Sequence, residues 1–138
     1  MLPKYLLINS RDELYRVDIT KIVYFEANAN YTIFVLPNKL KGVIGMNLAQ
    51  TERLLSANLG IEASIFARIG KRFIINLNYI YHIELLKQNL TLSDGENFAY
   101  SLPISKDALR KLKDMFVTQA RLSKEQQQEN NGHEQSEG

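Results

Sequence analysis

The chain has 138 residues, 45% of them apolar and 23% charged, with a formal net charge of +2 and no cysteine. Those values exclude disulfides, thiolate metal sites and cysteine nucleophiles, and they exclude disorder throughout, because a chain of this length and apolar content buries a sizeable single core. The charge is uneven: residues 1–122 carry 16 Lys and Arg against 11 Asp and Glu, a net of +5, while residues 123–138 carry one lysine against four glutamates. A modestly basic body suits a polyanionic partner.

The opening run MLPKYLLINSRDE is broken at once by Asn9, Ser10 and Arg11. It reads as neither an export signal nor a membrane span, which together with the missing cysteines places the chain in the cytoplasm. From there, short runs rich in Val, Ile, Tyr and Phe predict strands at residues 5–8, 14–17, 22–26, 31–36 and 41–44, with turns at Asn28-Ala29-Asn30 and Pro37-Asn38-Lys39. Asn47 then caps a short helix whose Leu48, Thr51, Leu54 and Leu55 share one face, ending near Asn58 or Gly60. Further strands are predicted at residues 66–69, 73–75, 81–86, 90–92 and 98–102, with Ser93-Asp94-Gly95-Glu96 as a hairpin turn. Ser105 caps a last helix with Asp107 in its first turn and Leu109, Leu112, Met115, Phe116 and Ala120 as an apolar stripe. The expectation is a mainly β domain of about ten antiparallel strands over residues 1–122, with one short helix and a C-terminal helix. Residues 123–138, SKEQQQENNGHEQSEG, offer no aliphatic or aromatic side chain to bury and are expected to be a polar, acidic, flexible tail that continues the helix only briefly.

Catalytic and metal chemistry find no purchase in this pattern, and no cofactor is implied. His82 falls in a predicted strand and His133 in the tail, and neither has a carboxylate or second histidine at a metal-ligand spacing. No serine sits in a Gly-x-Ser-x-Gly elbow. Gly70-Lys71 fails as a phosphate loop, because Ile65 and Arg72 stand where the leading glycine and the magnesium-binding hydroxyl belong. Glu26 closes a strand, and Asp94 and Glu96 flank a turn, so paired carboxylates for acid–base catalysis are not suggested either.

Cations cluster instead where strands end. Arg68, Lys71 and Arg72 interrupt the apolar segment IFARIGKRFIIN, Lys87 precedes a strand, and Lys106 begins the last helix, while Asn28 and Asn30 sit in a turn beside Tyr31 and Thr32. Brought to one edge, such junctions would offer Lys and Arg to phosphates and Asn and Lys to base edges. Each also has a plainer explanation: Arg68 pairing with a carboxylate such as Glu26, Lys71 and Arg72 in a solvated loop, Asn28 and Asn30 as ordinary turn residues, Lys106 as helix surface. On these residues alone, nucleic-acid binding and a β-rich interaction module that docks through the last helix are evenly matched. Binding of single strands is disfavoured, because most Tyr and Phe residues lie in predicted core strands.

Three segments in order carry a resemblance. IVYFEANANYTIFVL resembles the strand–loop–strand signature of the LytTR (LytR/AlgR-type) DNA-binding domain family, in which a strand ends in Glu-Ala before a polar loop and Tyr-Thr. FARIGKRFIINLNYI resembles its second signature, Phe-x-Arg-Ile followed by polar residues, an aromatic, two aliphatics and Asn. LTLSDGENFAYSLPISKDALRKL resembles its third, a Ser-Asp-Gly hairpin leading through Leu-Pro-Ile-Ser-Lys into the final helix.

The resemblance covers roughly residues 4–117. It implies elongated antiparallel β-sheets in a β-β-β sandwich, and a metal-free, non-enzymatic transcription regulator that places loops in the major groove of double-stranded DNA, often at paired direct repeats. It leaves a homodimer on DNA open. Carried residue by residue, it implies base contacts from Asn30, Tyr31, Lys71 and Lys106. It implies contacts to the DNA backbone at or beside Arg72, Lys87, Ser93 and Ser105, to which the junction cation Arg68 is added, with Asp107 serving the helix start. Gly70 departs from the histidine common at that position, and Lys71 lacks the fork of an arginine. A stand-alone member without a receiver domain is expected.

Overall fold

The computed structural model describes residues 4–137, with side chains through residue 125. The β-branched and aromatic runs form ten strands: β1 (Tyr5–Asn9), β2 (Leu14–Asp18), β3 (Tyr24–Asn28), β4 (Tyr31–Val35), β5 (Lys41–Ile44), β6 (Phe66–Ile69), β7 (Phe73–Asn76), β8 (Ile80–Glu84), β9 (Asn89–Ser93) and β10 (Ala99–Pro103). Two helices join them, α1 (Leu48–Leu59) and α2 (Lys106–Glu137). All strand pairs are antiparallel and fall into three sheets, ordered β1-β2, β5-β4-β3-β7-β6 and β10-β9-β8.

Successive side chains of a strand point to opposite faces, so the middle sheet feeds two cores. On one face Phe25, Phe34, Ile44 and Ile74 pack with Leu6, Ile8 and Val17 of the β1–β2 hairpin and with Leu48, Leu55 and Leu59 of α1. On the other, Tyr24, Val35, Ile69, Phe73 and Ile75 pack with Leu90, Leu92 and Leu102 of the outer sheet and Leu109 and Leu112 of α2. Strand β7 lies between the two cores and is buried at all four positions. Its Asn76 is satisfied there by donating from Nδ2 to the Ile22 carbonyl at 2.9 Å and accepting from the Asn78 N–H at 3.0 Å.

The strand expected over residues 22–26 is displaced toward its C-terminus. Ile22 and Val23 are fully buried, but they follow a 3₁₀ turn at Ile19–Lys21; Val23 already bonds through its N–H to the Val35 carbonyl and through its carbonyl to the Asn76 N–H, and the regular β3 register begins at Tyr24. The strand expected over residues 81–86 becomes β8, with a bulge between Ile80 and His82, and Leu86 stands almost fully exposed in the turn that follows.

Helix α1 starts as its sequence demands. Asn47 and Gln50 form a reciprocal capping box, and Gly60 ends the helix at φ 57°. Its Thr51 hydroxyl donates to Thr32 Oγ1 at 3.0 Å, and Thr32 Oγ1 donates to the Met46 carbonyl at 2.9 Å, which fixes the helix against the start of β4.

The stripe expected on α2 is only half used. Leu109 and Leu112 are buried, whereas Met115 and Phe116 are each 36% exposed, because the helix runs past the sheets after its second turn. The helix continues through residues 123–137, further than the brief continuation expected. Lys, Glu and Gln are good helix formers, and a helical backbone satisfies its own hydrogen bonds without burying a face. The side chains of that tail from residue 126 onward lie outside the described residues.

Candidate functional site

The register of the middle sheet decides which turns meet. In the β3–β7 pair Glu26 lies opposite Phe73, so the end of β3 and the start of β7 are neighbours. The β3–β4 turn and the β6–β7 turn therefore leave the sheet at the same edge. The Ala27 N–H donates to the Arg72 carbonyl at 2.8 Å and ties the two turns together. Both turns reverse through a left-handed residue, Ala29 at φ 54° and Gly70 at φ 67°. Glycine takes that conformation without the steric cost an L side chain meets.

The start of α2 joins this edge. A cleft of about 400 Å³ is lined by Ile69, Gly70, Lys71 and Arg72 on one side and by Pro103, Ile104 and Ser105 on the other. Ser105 caps the helix by accepting from the Ala108 N–H at 3.3 Å, with Asp107 in the first turn. The Ile104 N–H donates to the Gln88 carbonyl at 3.1 Å, which brings the β8–β9 turn and Lys87 alongside. Four segments distant in sequence thus form one continuous rim: the β3–β4 turn, the β6–β7 turn, the start of α2 and the β8–β9 turn.

The cations of the rim are of two kinds. Lys71 and Lys106 are exposed and have no ion-pair partner among the described residues. Arg72, Arg68 and Lys87 are each held by a carboxylate of the scaffold. An Arg72 nitrogen lies 3.7 Å from Glu26, and its guanidinium carbon is 5.2 Å from the centroid of the Phe73 ring. Arg68 lies 3.8 Å from Glu52 of α1 and makes a long hydrogen bond, 3.5 Å, to the Lys71 carbonyl. Lys87 lies 3.4 Å from Glu84, whose other oxygen is 3.5 Å from His82 Nδ1. Arg68 does pair with a carboxylate, as its plainer explanation has it, but that carboxylate is Glu52; Glu26 takes Arg72, because its register partner is Phe73, next to Arg72 in the chain.

Asn30 and Tyr31 are on the rim, with Tyr31 54% exposed at the first position of β4. At the other end of β3, away from the rim, Tyr24 has its phenol pKa raised, first by burial, then by the Glu26 charge and by Tyr100.

Ser93 is not brought to the rim. It ends β9 at the edge opposite Asn89, roughly 13 Å away at the rise of an extended strand. Its hydroxyl donates to the Phe98 carbonyl at 2.6 Å and accepts from the Gly95 N–H at 2.9 Å, so it serves the β9–β10 turn. Asp94 completes that turn. Desolvation pushes its carboxyl up, but hydrogen bonds from the Asn97 and Glu96 N–H groups, the Asn97 side chain and the Phe98 N–H outweigh it and hold the group at about 2.

Sequence reasoning named Glu26 as an acidic partner but beside the wrong arginine, and Glu52 escaped it. No local signal could have revealed either pairing, since the β3–β7 pairing spans some fifty residues and α1 reaches Arg68 only through the packed core. Among the described residues no group of three His, Cys, Asp or Glu is placed to hold a metal, and no helix is long and apolar enough to cross a membrane.

The sequence model of the LytTr DNA-binding domain matches residues 12–117, more than half of the chain. The chain belongs to the LytTr family. It is in that general sense a DNA-binding, transcription-regulating protein, and the family is defined by DNA binding rather than by catalysis. The LytTr match begins within the β1–β2 hairpin and ends within α2, so β1 lies before it. A solved structure described as the LytTr DNA-binding domain of a methyl-accepting/DNA response regulator from Bacillus cereus shares the fold. Its TM-score is 0.58 and its identity 22%, over 81% of this chain and 95% of that one. No curated protein matches the chain.

Proposed function

We propose that this LytTr protein is a sequence-specific transcription regulator whose rim docks on double-stranded DNA and inserts its turns into the major groove. The observation that carries this reading is the meeting of Lys71 and Lys106, both exposed and unpaired among the described residues, on one rim with three further cations. In this reading Lys71, Lys106 and the Asn30–Tyr31 turn contact base edges, and Arg68, Arg72, Lys87 and the Ser105 cap contact phosphates. Ser93 is left out of the set, because its hydroxyl is used within its own turn. Residues 1–122 act as the DNA-binding body and residues 123–138 as an acidic appendage, in the cytoplasm. Paired direct repeats would seat two copies of the chain side by side.

Selection of bound sites from random duplex DNA, repeated at two salt concentrations, tests the proposal. Recovery of a directly repeated motif, with affinity falling steeply as salt rises, is the expected result. Recovery of no motif would sink sequence-specific binding. A second reading, docking of a partner on α2, draws on the exposed Met115, Phe116 and Val117 and predicts an association that salt does not weaken.

A further inference from the structure

The two arginines that flank Lys71 are each held back by a carboxylate, and the same two pairs hold the turn that presents Lys71. Arg72 is drawn to Glu26 on β3 and lies over the Phe73 ring, while its own carbonyl is fixed by the Ala27 N–H. Arg68 is drawn to Glu52 on α1 and reaches the Lys71 carbonyl. The turn is closed by the Ile69–Phe73 pair of the β6–β7 ladder, and at its tip Gly70, at φ 67°, has no heavy atom within 4 Å of where a Cβ would stand. Two acidic residues from two separate elements therefore converge on the cations beside one exposed lysine.

We propose that Glu26 and Glu52 are specificity-determining positioning residues: they hold Arg72 and Arg68 against the scaffold, fix the β6–β7 turn behind Lys71, and lower the attraction of the rim for any phosphate backbone. The proposal rests on the DNA-binding reading of the rim and deepens it. Its physics is a difference between two kinds of contact. Phosphate contacts raise affinity for every sequence alike, whereas a base contact from Lys71 gains only when the turn stands in one geometry. A carboxylate 3.7 to 3.8 Å from an arginine competes with a phosphate for that arginine and penalises any approach that does not also satisfy Lys71. These are partly exposed pairs, 30% exposed at Glu26 and 49% at Glu52, so they contribute little to folding, and their consequence lies in binding.

The test uses the full chain and the isosteric variants Glu26→Gln and Glu52→Gln, singly and together, each in the parent and in the Arg72→Ala and Arg68→Ala backgrounds. Affinity for a selected site and for a scrambled duplex is measured by fluorescence anisotropy across a salt series, with thermal unfolding as the check on folding. For each carboxylate removed, affinity for the scrambled duplex should rise about threefold at low salt, as expected for one charge lost several ångströms from a phosphate in water. The salt slope should steepen by at most about 0.9 for each arginine, according to how far its carboxylate had held it back from phosphate. The ratio of selected to scrambled affinity should fall, and the effect of Glu26→Gln on that ratio should vanish when Arg72 is already alanine, as that of Glu52→Gln should when Arg68 is. A ratio unchanged in the double glutamine variant, or a fall that persists without the matching arginine, overturns the proposal while leaving DNA binding intact. A parent chain that binds neither duplex overturns the proposal together with the reading beneath it.

Discussion

Truncating Lys71 to alanine separates base reading from phosphate binding. In the free protein the side chain is exposed and makes no ion pair among the described residues, and the carbonyl that accepts from Arg68 belongs to the backbone and survives the change. Stability should therefore move by no more than about 0.5 kcal/mol. In the complex, the loss of a base contact should cost about 1 to 3 kcal/mol on the selected site, or about 5- to 150-fold in Kd. On a scrambled duplex the affinity should fall only about threefold at low salt, the effect of one charge lost several ångströms from a phosphate, and the salt slope should change little because no direct phosphate contact is removed. Arg72→Ala is the counterpart: it should weaken all sequences alike and flatten the salt slope, by less than about 0.9 because Glu26 already holds that arginine partly back from phosphate. Fluorescence anisotropy with both duplexes from low to moderate salt distinguishes the two patterns. If Lys71→Ala instead weakened both duplexes equally and flattened the slope, the lysine would be a phosphate contact and its assignment as a base reader would be refuted.

Two further predictions concern the scaffold. A Cβ at Gly42 would run into the Phe34 ring, which is 2% exposed and packed edge-on at 5.1 Å against Tyr15, so Gly42→Ala should destabilise the fold by about 1 to 3 kcal/mol in urea unfolding; parent-like stability would show that the ring can yield. The Asp94 carboxyl is held at about 2, below its ordinary value of about 3.9. A group depressed in this way adds stability above about pH 4 that is lost as the pH falls toward 2, so the stability gap between the parent and Asp94→Asn should close over that window. A gap that stayed constant from pH 5 to pH 2 would remove the charge from the explanation.

All ten strands and both helix starts were legible in the sequence, because they depend on local rules. Alternating β-branched and aromatic residues make strands wherever they pack, Asn47 and Ser105 carry side chains that satisfy free N–H groups, and Gly60 and Gly70 stand where the chain adopts positive φ. Errors clustered where an apolar residue is buried outside a ladder, as at Ile22, and where a periodic stripe outruns the surface it could cover, as on α2 beyond Leu112. Burial and hydrogen-bond pairing are separate constraints, and a run of residue types reports mainly the first.

The residue types of the site were equally readable: cations and asparagines at strand ends, with the interruption at Gly70, Lys71 and Arg72 in an otherwise apolar segment. Their grouping was not. Ser93 has the same local character as Ser105, yet one ends β9 at the far edge and the other caps α2 at the rim. Which cations are restrained and which are free follows from Glu26 facing Phe73 across β3 and β7 and from α1 bringing Glu52 to Arg68. Sequence by itself determined the strands, the caps and the chemical character of the turns, since these arise from interactions over a few residues. Only the tertiary structure decided which turns share an edge and which charges neutralise one another, because register and packing join residues that the chain keeps far apart.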